Sequence, residues 1–117
     1  MKSKQLYINE SGAESRMLCN IYIADNFILR ARGLLFRKKI GDSEGLLITR
    51  CNSVHTFGMR YPIDIVFLNA QMRIIEIVKS LAPYRFSMNR KANAVLEFAG
   101  SFSETKKIRV GMACEWE

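Results

Sequence analysis

His55 is the only histidine in the chain, and histidine is the residue type that most readily exchanges a proton near neutral pH. Asp64 follows it by nine positions. An aspartate that orients the imidazole would make His55 a general base, with Cys51 or Thr56 as the nucleophile and Arg60 beside an oxyanion. The alternative is a histidine hydrogen-bonded into the wall of the fold, with Asp64 accepting bonds from backbone amides or pairing with an arginine. We favour this second interpretation.

Gly33 lies in the most basic part of the chain. Five cations occur there within ten residues: Arg30, Arg32, Arg37, Lys38 and Lys39. A glycine inside a helix costs about 1 kcal/mol relative to alanine, so it usually has a packing or binding role. With an arginine three residues before it and another four residues after it on one helix face, the bare backbone would admit a ligand anion or a crossing strand. Close helix-sheet packing, with the arginines paired to Asp64 or Glu97, explains the pattern equally well.

The charge balance restricts the possible partners. The chain has 18 Lys and Arg against 11 Asp and Glu, which gives a formal net charge of +7. A second span without acids lies between Glu76 and Glu97. If both basic spans share one side of the molecule, they form a positive face for phosphate, nucleic acid or an acidic partner. No nucleic-acid-binding motif is present, so we expect no specific nucleic-acid recognition, and any binding to polyanions should be weak and salt-sensitive.

Cysteine usage and the apolar runs argue against several classes of protein. Cys19, Cys51 and Cys114 are widely spaced and accompany a single histidine, so we expect neither a structural metal site nor a disulfide framework. The longest apolar runs, such as residues 65–68, have four residues, whereas a membrane span needs roughly 20. The N-terminus has no apolar signal-peptide core, and we expect a cytoplasmic protein without a cofactor.

Any such site must be positioned by a fold whose sequence pattern is mainly that of β-strands. Strands are predicted at residues 5–8, 17–24, 46–50, 54–59, 63–68, 73–78, 94–98 and 112–116. In the second of these, strict alternation predicts that Met17, Cys19, Ile21 and Ile23 face the core, while Asn20 faces outward. Residues 82–93 have no period and are typical of a long surface connection.

Two helices are predicted between these strands. Apolar spacing over residues 27–35 indicates the first, whose last turn holds Arg37, Lys38 and Lys39 and which ends just before Gly41. Capping residues indicate a short second helix from Ser101 or Ser103 to Lys107. The predicted class is therefore α+β and mainly β. It is a compact, barrel-like, mainly antiparallel sheet of about seven or eight short strands with two helices, in one domain over residues 1–117.

Several short strings occur in a distinctive order. They are Arg32-Gly33-Leu34-Leu35-Phe36-Arg37, Gly45-Leu46-Leu47, Tyr61-Pro62-Ile63-Asp64, Val95-Leu96-Glu97 with Gly100, and Gly111. In order and spacing they resemble the domain of unknown function 192 family over about residues 31–114, preceded here by an N-terminal β-hairpin. One block departs, because Val54-His55-Thr56-Phe57-Gly58-Met59 replaces the family's Phe-Trp-Met-Lys-Asn-Thr. The resemblance implies a small β-barrel-like α+β domain without an established activity, cofactor or substrate.

The function that this reasoning favours is a non-catalytic binding module for a small anion or an acidic segment of a partner protein. The residues predicted to line its site are Arg32, Gly33, Arg37, His55, Thr56, Arg60, Asp64 and Glu97. One alternative is an accessory protein of a pilus or secretion assembly, a role that the family resemblance suggests, which would dock through its basic face. The other alternative is a hydrolase in which His55 and Asp64 are catalytic.

Overall fold

Strand-forming sequences dominate the structure, a computed structural model that describes residues 2–24 and 40–117. These residues form nine strands and one short helix. In chain order they are β1 (Lys2–Asn9), β2 (Arg16–Ala24), β3 (Glu44–Thr49), β4 (Ser53–His55), β5 (Ile63–Leu68), β6 (Ile74–Leu81), β7 (Phe86–Met88), β8 (Ala94–Ala99), α1 (Phe102–Thr105) and β9 (Ala113–Trp116). The second predicted helix is thus observed as α1, whereas the helix predicted at 27–35 lies outside the described residues.

Seven strands form one large sheet in the order β6-β5-β8-β3-β2-β1-β9. All neighbours in it are antiparallel except β2 and β3, which are parallel. Parallel neighbours require a crossover connection, here between Ala24 and Glu44. The sheet curls until its two edge strands meet at one end, where Arg73 bridges Ala113 and the Ile74 amide donates to the Met112 carbonyl at 2.8 Å. The prediction of a mainly antiparallel, barrel-like β fold is confirmed as a curled half-barrel.

Both faces of the large sheet are covered by apolar side chains. One face packs Leu6, Ile21 and Leu96 with Phe102 of α1, and the other packs Leu46, Ile65, Phe67 and Val95 with Val54 and Met59. The central strands β5 and β8 are consequently buried along all six of their residues. Burial on both faces explains why their sequences are nearly continuous apolar runs rather than alternating ones.

One predicted face assignment in β2 is wrong. Met17 is exposed and Leu18 is buried, although alternation predicts the reverse. The pairing shifts there, because Leu6 lies opposite Cys19 while the next residue, Tyr7, lies opposite Met17. Leu18 is therefore the extra residue of a β-bulge, which reverses the alternation on one side of it. Beyond the bulge the prediction is confirmed, since Asn20 is exposed and Ile21 is buried.

Gly45 allows β3 to pass directly beneath an aromatic pair. A Cβ atom at this position would lie 2.5 Å from Cε1 of Phe98. The Phe98 ring stacks on Phe102 of α1 with centroids 4.3 Å apart, so it has little freedom to move aside. This contact joins three elements, namely β3, β8 and the helix, into one packed unit.

Candidate functional site

Asp64 in β5 is fully buried and has a complete set of hydrogen-bond donors. Its Oδ1 accepts from the backbone amides of Ser80 at 2.8 Å and Ser101 at 3.1 Å. Its Oδ2 accepts from the amide of Ser103 at 2.8 Å and from the hydroxyl of the same residue at 2.6 Å. These contacts correspond to the interpretation in which Asp64 accepts hydrogen bonds from backbone amides rather than orienting His55.

These bonds hold two chain segments in unusual conformations. Ser80 and Ser101 both have positive φ angles, 46° and 71°, in the left-handed region that non-glycine residues adopt at a cost. The side chain of Ser101 makes no capping bond to α1. Instead, the Asp64 carboxylate accepts a hydrogen bond from the amide of Ser103 in the first turn. Asp64 thus serves as the cap of a helix that is distant in sequence.

His55 is exposed at the end of β4 and contacts its own neighbours. Its Nδ1 accepts from the backbone amide of Phe57 at 3.3 Å, and its ring stacks on the Phe57 ring with centroids 5.4 Å apart. The thiol of Cys51 donates to the carbonyl of Ser53 at 3.0 Å. The described residues therefore do not assemble the His55 and Asp64 pair of the hydrolase hypothesis.

Thr56 is fully buried and joins β4 to the segment before β7. Its hydroxyl donates to the Ala82 carbonyl at 2.6 Å and accepts from the Arg85 amide at 2.8 Å. Its backbone amide donates to the Arg85 carbonyl at 2.8 Å, and its carbonyl accepts from the Tyr84 amide at 3.0 Å. All of these contacts fix the backbone of residues 82–85, so Thr56 is engaged within the chain rather than directed at a ligand.

Glu97 in β8 is also buried, but unlike Asp64 it lacks a hydrogen-bond partner for one carboxyl oxygen among the described residues. Within the described ranges its Oε2 atom has no hydrogen-bond partner, and burial raises the pKa of Glu97 from 4.5 to about 8. Glu97 lies opposite Ile65, while Asp64 lies opposite Phe98. Since successive residues of a strand point to opposite faces, the two carboxyl groups lie on different faces of the large sheet and cannot line one pocket.

The remaining predicted site residues are divided in the same way. Arg60 is exposed, like His55, whereas Thr56, Asp64 and Glu97 are buried. Arg32, Gly33 and Arg37 lie outside the described residues. The structure therefore does not bring the described members of the predicted set together into a single pocket, because burial and strand alternation separate His55, Asp64 and Glu97.

The two-stranded sheet formed by β4 and β7 has an exposed apolar surface. Val54 faces inward into the core, while Phe86 and Met88 face outward, opposite His55 and Ser53 respectively. Four large apolar side chains are exposed here: Phe57 by 50%, Tyr84 by 62%, Phe86 by 59% and Met88 by 45%. We call this surface, formed by His55, Phe57, Tyr84, Phe86 and Met88, the aromatic face.

The two stretches of sequence that supply the aromatic face contain no acidic residues. Residues 45–63 and 77–96, which supply β4, β7 and their flanks, contain no Asp or Glu. The exposed cations of these stretches include Arg60, Arg85, Arg90 and Lys91, none of which forms an ion pair with another described residue. A hollow of about 390 Å³ lies at the Ser53 end of the sheet, between residues 50–53 and 92–93.

The other thiols and potential ligands give no competing site. Burial raises the pKa values of Cys19 and Cys114 to about 12, so both are protonated and unreactive at neutral pH. Among residues 2–24 and 40–117, no three His, Cys, Asp or Glu side chains are grouped as a metal site would require. The helices in this part of the chain include none long and apolar enough to cross a membrane.

Comparison with known proteins places this geometry in a family. The model of the DUF192 family, described as Uncharacterized ACR, matches residues 7–116. The chain belongs to the DUF192 family. A UPF0127 protein of Pyrococcus furiosus is 36% identical over 113 residues, which cover 90% of this chain and 91% of that protein. A UPF0127 protein of Pyrococcus horikoshii is 33% identical over 100 residues, which cover 82% of this chain and 86% of the other.

Solved structures support the fold of this DUF192 chain. A Sinorhizobium meliloti protein superimposes with a TM-score of 0.86 at 17% identity, over 98% of this chain and 94% of that one. A protein of unknown function from Novosphingobium aromaticivorans gives a TM-score of 0.82 at 24% identity, over 96% and 84% of the two chains. At these identities the likeness concerns the fold alone.

The aromatic face was not predicted as a site from the sequence of this DUF192 member, although one signal of it was present. Residues 82–93 combine aromatic and basic residues without a period, and such long connections are often functional. Local pattern could not show that this segment pairs with β4, because the two strands are distant in sequence. Among the described residues of the predicted site, only His55 and Arg60 are exposed, and His55 is part of this surface.

Proposed function

We propose that this DUF192 chain is a non-catalytic binding module that takes an acidic segment of a partner protein on its aromatic face. The observation that carries the proposal is the concentration of four large, exposed apolar side chains on one side of a small sheet whose flanks have no acidic residue. Exposed apolar clusters of this kind are typical of interaction sites, and aromatic side chains dominate the energetics of binding.

The surrounding cations determine the chemistry of the partner. Arg60, Arg85 and Arg90 are exposed and have no ion-pair partner among the described residues, so an acidic partner would be attracted without displacing internal pairs. Such steering accelerates association and discriminates against basic partners. An apolar patch with a basic rim therefore favours a segment that combines carboxylates with apolar side chains.

Two features favour binding over hydrolysis and over capture of a small anion. The imidazole of His55 is engaged by the Phe57 amide and ring, and Asp64 is engaged by three serines, so these two groups do not form a base oriented by a carboxylate. Arg85 directs one Nη1–H to the Tyr84 carbonyl at 3.2 Å, so part of its guanidinium group is already used within the chain rather than held open for a small anion.

The proposal is tested with a fluorescent peptide that alternates glutamate with valine and with a counterpart that alternates lysine with valine. We expect the acidic peptide to bind, with an affinity that falls as salt is added, and the basic peptide not to bind. Phe86→Ser should weaken binding by about tenfold or more. Val110→Ser is the matched control, because Val110 is exposed to a similar degree, 61%, and lies outside the aromatic face.

Three results would contradict the proposal. They are failure of the acidic peptide to bind, equal affinity for both peptides, and equal losses in the Phe86→Ser and Val110→Ser variants. A single-stranded oligonucleotide is measured beside the peptides. Tighter binding of the oligonucleotide would also overturn the proposal, since the same cations and rings can hold a nucleic acid backbone and its bases.

A further inference from the structure

The hydrogen-bond pattern of the small sheet determines which backbone groups face away from it. The amide of Asn89 donates to the Asn52 carbonyl at 2.9 Å, and the amide of Thr56 donates to the Arg85 carbonyl at 2.8 Å. Because hydrogen-bonded and non-hydrogen-bonded pairs alternate in an antiparallel ladder, Val54 and Ser87 form the hydrogen-bonded pair between them. The amide and carbonyl groups of Phe86 and Met88 therefore point away from β4.

Among residues 2–24 and 40–117, no strand pairs with the outer edge of β7. Within the described part of the chain β7 pairs only with β4, and no other described residue bonds the backbone of Phe86 or Met88. The two edges of the large sheet, in contrast, bond each other where Ile74 meets Met112. The outer edge of β4 is also partly used, because the Ser53 carbonyl accepts the Cys51 thiol.

We infer that the acidic segment binds by adding to β7 as an extended strand, with its backbone on the amides and carbonyls of Phe86 and Met88. This inference rests on the proposed function and specifies how that function is carried out. In strand addition the main chain provides affinity, and alternate side chains provide specificity. Every second side chain of the added strand would lie beside Phe86 and Met88 on the aromatic face.

The charges at the two ends of β7 indicate which side chains the added segment carries near its own ends. Arg85 directly precedes the strand, and Arg90 and Lys91 follow it closely, so cations flank the open edge at both ends. Glu76 is the acidic residue that contacts this region, and its Oε1 already accepts a hydrogen bond from Asn89 at 2.9 Å. The preferred segment therefore carries Asp or Glu near its ends, with apolar residues at every second position.

The short length of β7 limits what can be added. Three residues offer a ladder for only a short segment, and short edge strands are one means by which proteins avoid indiscriminate pairing. Backbone pairing alone would therefore be weak. The apolar contacts and the flanking cations must contribute, which accounts for the coincidence of all three features at one edge.

Two N-methylated forms of the glutamate-valine peptide test this mode of binding with the unaltered protein. One is methylated on the amides of its valines and the other on the amides of its glutamates. The amides of an added strand point alternately toward β7 and toward solvent. We therefore expect one methylated peptide to lose affinity by about tenfold or more and the other to bind nearly as well as the parent.

A pair of protein variants provides an independent measurement. Met88→Pro removes an outward amide that β4 does not use, and proline is tolerated on edge strands. Met88→Ala removes the same side chain but keeps the amide. We expect Met88→Pro to bind the parent peptide at least about fivefold more weakly than Met88→Ala.

Equal affinities of the two methylated peptides, or of the two Met88 variants, would overturn strand addition. The proposed function would survive that result if Phe86→Ser still weakened binding and Val110→Ser did not. Failure of the parent peptide to bind the wild-type chain would instead overturn the proposed function, and the strand-addition inference with it.

Discussion

The large sheet and the small sheet of this chain differ in how completely their faces are covered. The large sheet has both faces covered, and even its most polar buried group, Asp64, is supplied with four hydrogen bonds. The small sheet buries Val54 on one side and leaves Phe86 and Met88 exposed on the other. The difference indicates that stability resides in the large sheet, while the small sheet carries an apolar surface that folding alone does not require.

A second contrast lies within the large sheet. Asp64 and Glu97 occupy adjacent strands and are both buried, yet only Asp64 has donors for both of its oxygens. Glu97 holds a proton at neutral pH because burial raises its pKa to about 8. Similar burial thus accompanies a fully hydrogen-bonded carboxyl group at Asp64 and, within the described part of the chain, an unpartnered oxygen at Glu97.

The largest effect on stability is expected for Asp64→Ala. The substitution leaves the buried amide and hydroxyl of Ser103 and the part-buried amides of Ser80 and Ser101 without their acceptor, and it releases Ser80 and Ser101 from their left-handed conformations. The free energy of unfolding, measured by urea denaturation, should fall by about 5 kcal/mol. Asp42→Ala, which removes an exposed aspartate, is the control and should change it by less than about 0.5 kcal/mol. A loss at Asp64 no larger than the control would refute its anchoring role.

The next effect concerns pH and Glu97. Its pKa is raised from 4.5 to about 8 on folding, so the folded state binds the proton more tightly than the unfolded state does. The contribution to stability is fully present below pH 4.5 and is lost as the pH rises to about 8, by about 5 kcal/mol in all. Glu97→Gln should remove this part of the pH dependence. If the free energy of unfolding varied with pH in the same way for the variant and the wild type, the raised pKa of Glu97 would be contradicted.

A smaller loss is expected for Gly45→Ala. The added methyl group would meet the Phe98 ring, which is held by its stacking on Phe102. Overpacking of this kind should lower the free energy of unfolding by about 2 kcal/mol. Phe98→Leu provides space at the same point, so the double variant should be more stable than the sum of the single changes predicts. Strict additivity would show that the two residues do not compete for space.

The smallest effect on stability is expected for Phe86→Ser. Phe86 is 59% exposed, so the free energy of unfolding should change by less than about 0.5 kcal/mol. Phe67→Ala is the internal comparison, because Phe67 is fully buried and its loss should cost about 4 kcal/mol. Similar losses of unfolding free energy at both positions, measured by urea denaturation, would contradict the difference proposed between the two sheets.

The sequence predicted those parts of the fold that depend on local pattern. Residues 63–68 form β5 with the predicted bounds, because a short apolar run between turn-forming residues is a local signal. Alternation failed at Leu18, since a bulge depends on how two strands pair rather than on either strand alone. For the same reason β7 was missed within residues 82–93, where its pairing with β4 is the decisive interaction.

The candidate site was less predictable than the fold. His55, Asp64 and Glu97 were selected for their chemistry, but register decides which face each residue occupies. Asp64 and Glu97 consequently lie on opposite faces of the sheet, and His55 lies on the small sheet. Tyr84, Phe86 and Met88 have no chemical signature of their own. They form a surface only because pairing with β4 turns them outward together.

The most direct test of the proposed binding surface is an NMR titration of the isotopically labelled full chain with the glutamate-valine peptide. The account predicts that amide shifts change within residues 52–60 and 82–91, with the largest changes at Phe86 and Met88, and that Phe86→Ser abolishes them. Shifts concentrated elsewhere, such as around the hollow between residues 8–16 and 107–112, would contradict it. Absence of any shift at saturating peptide would contradict it as well.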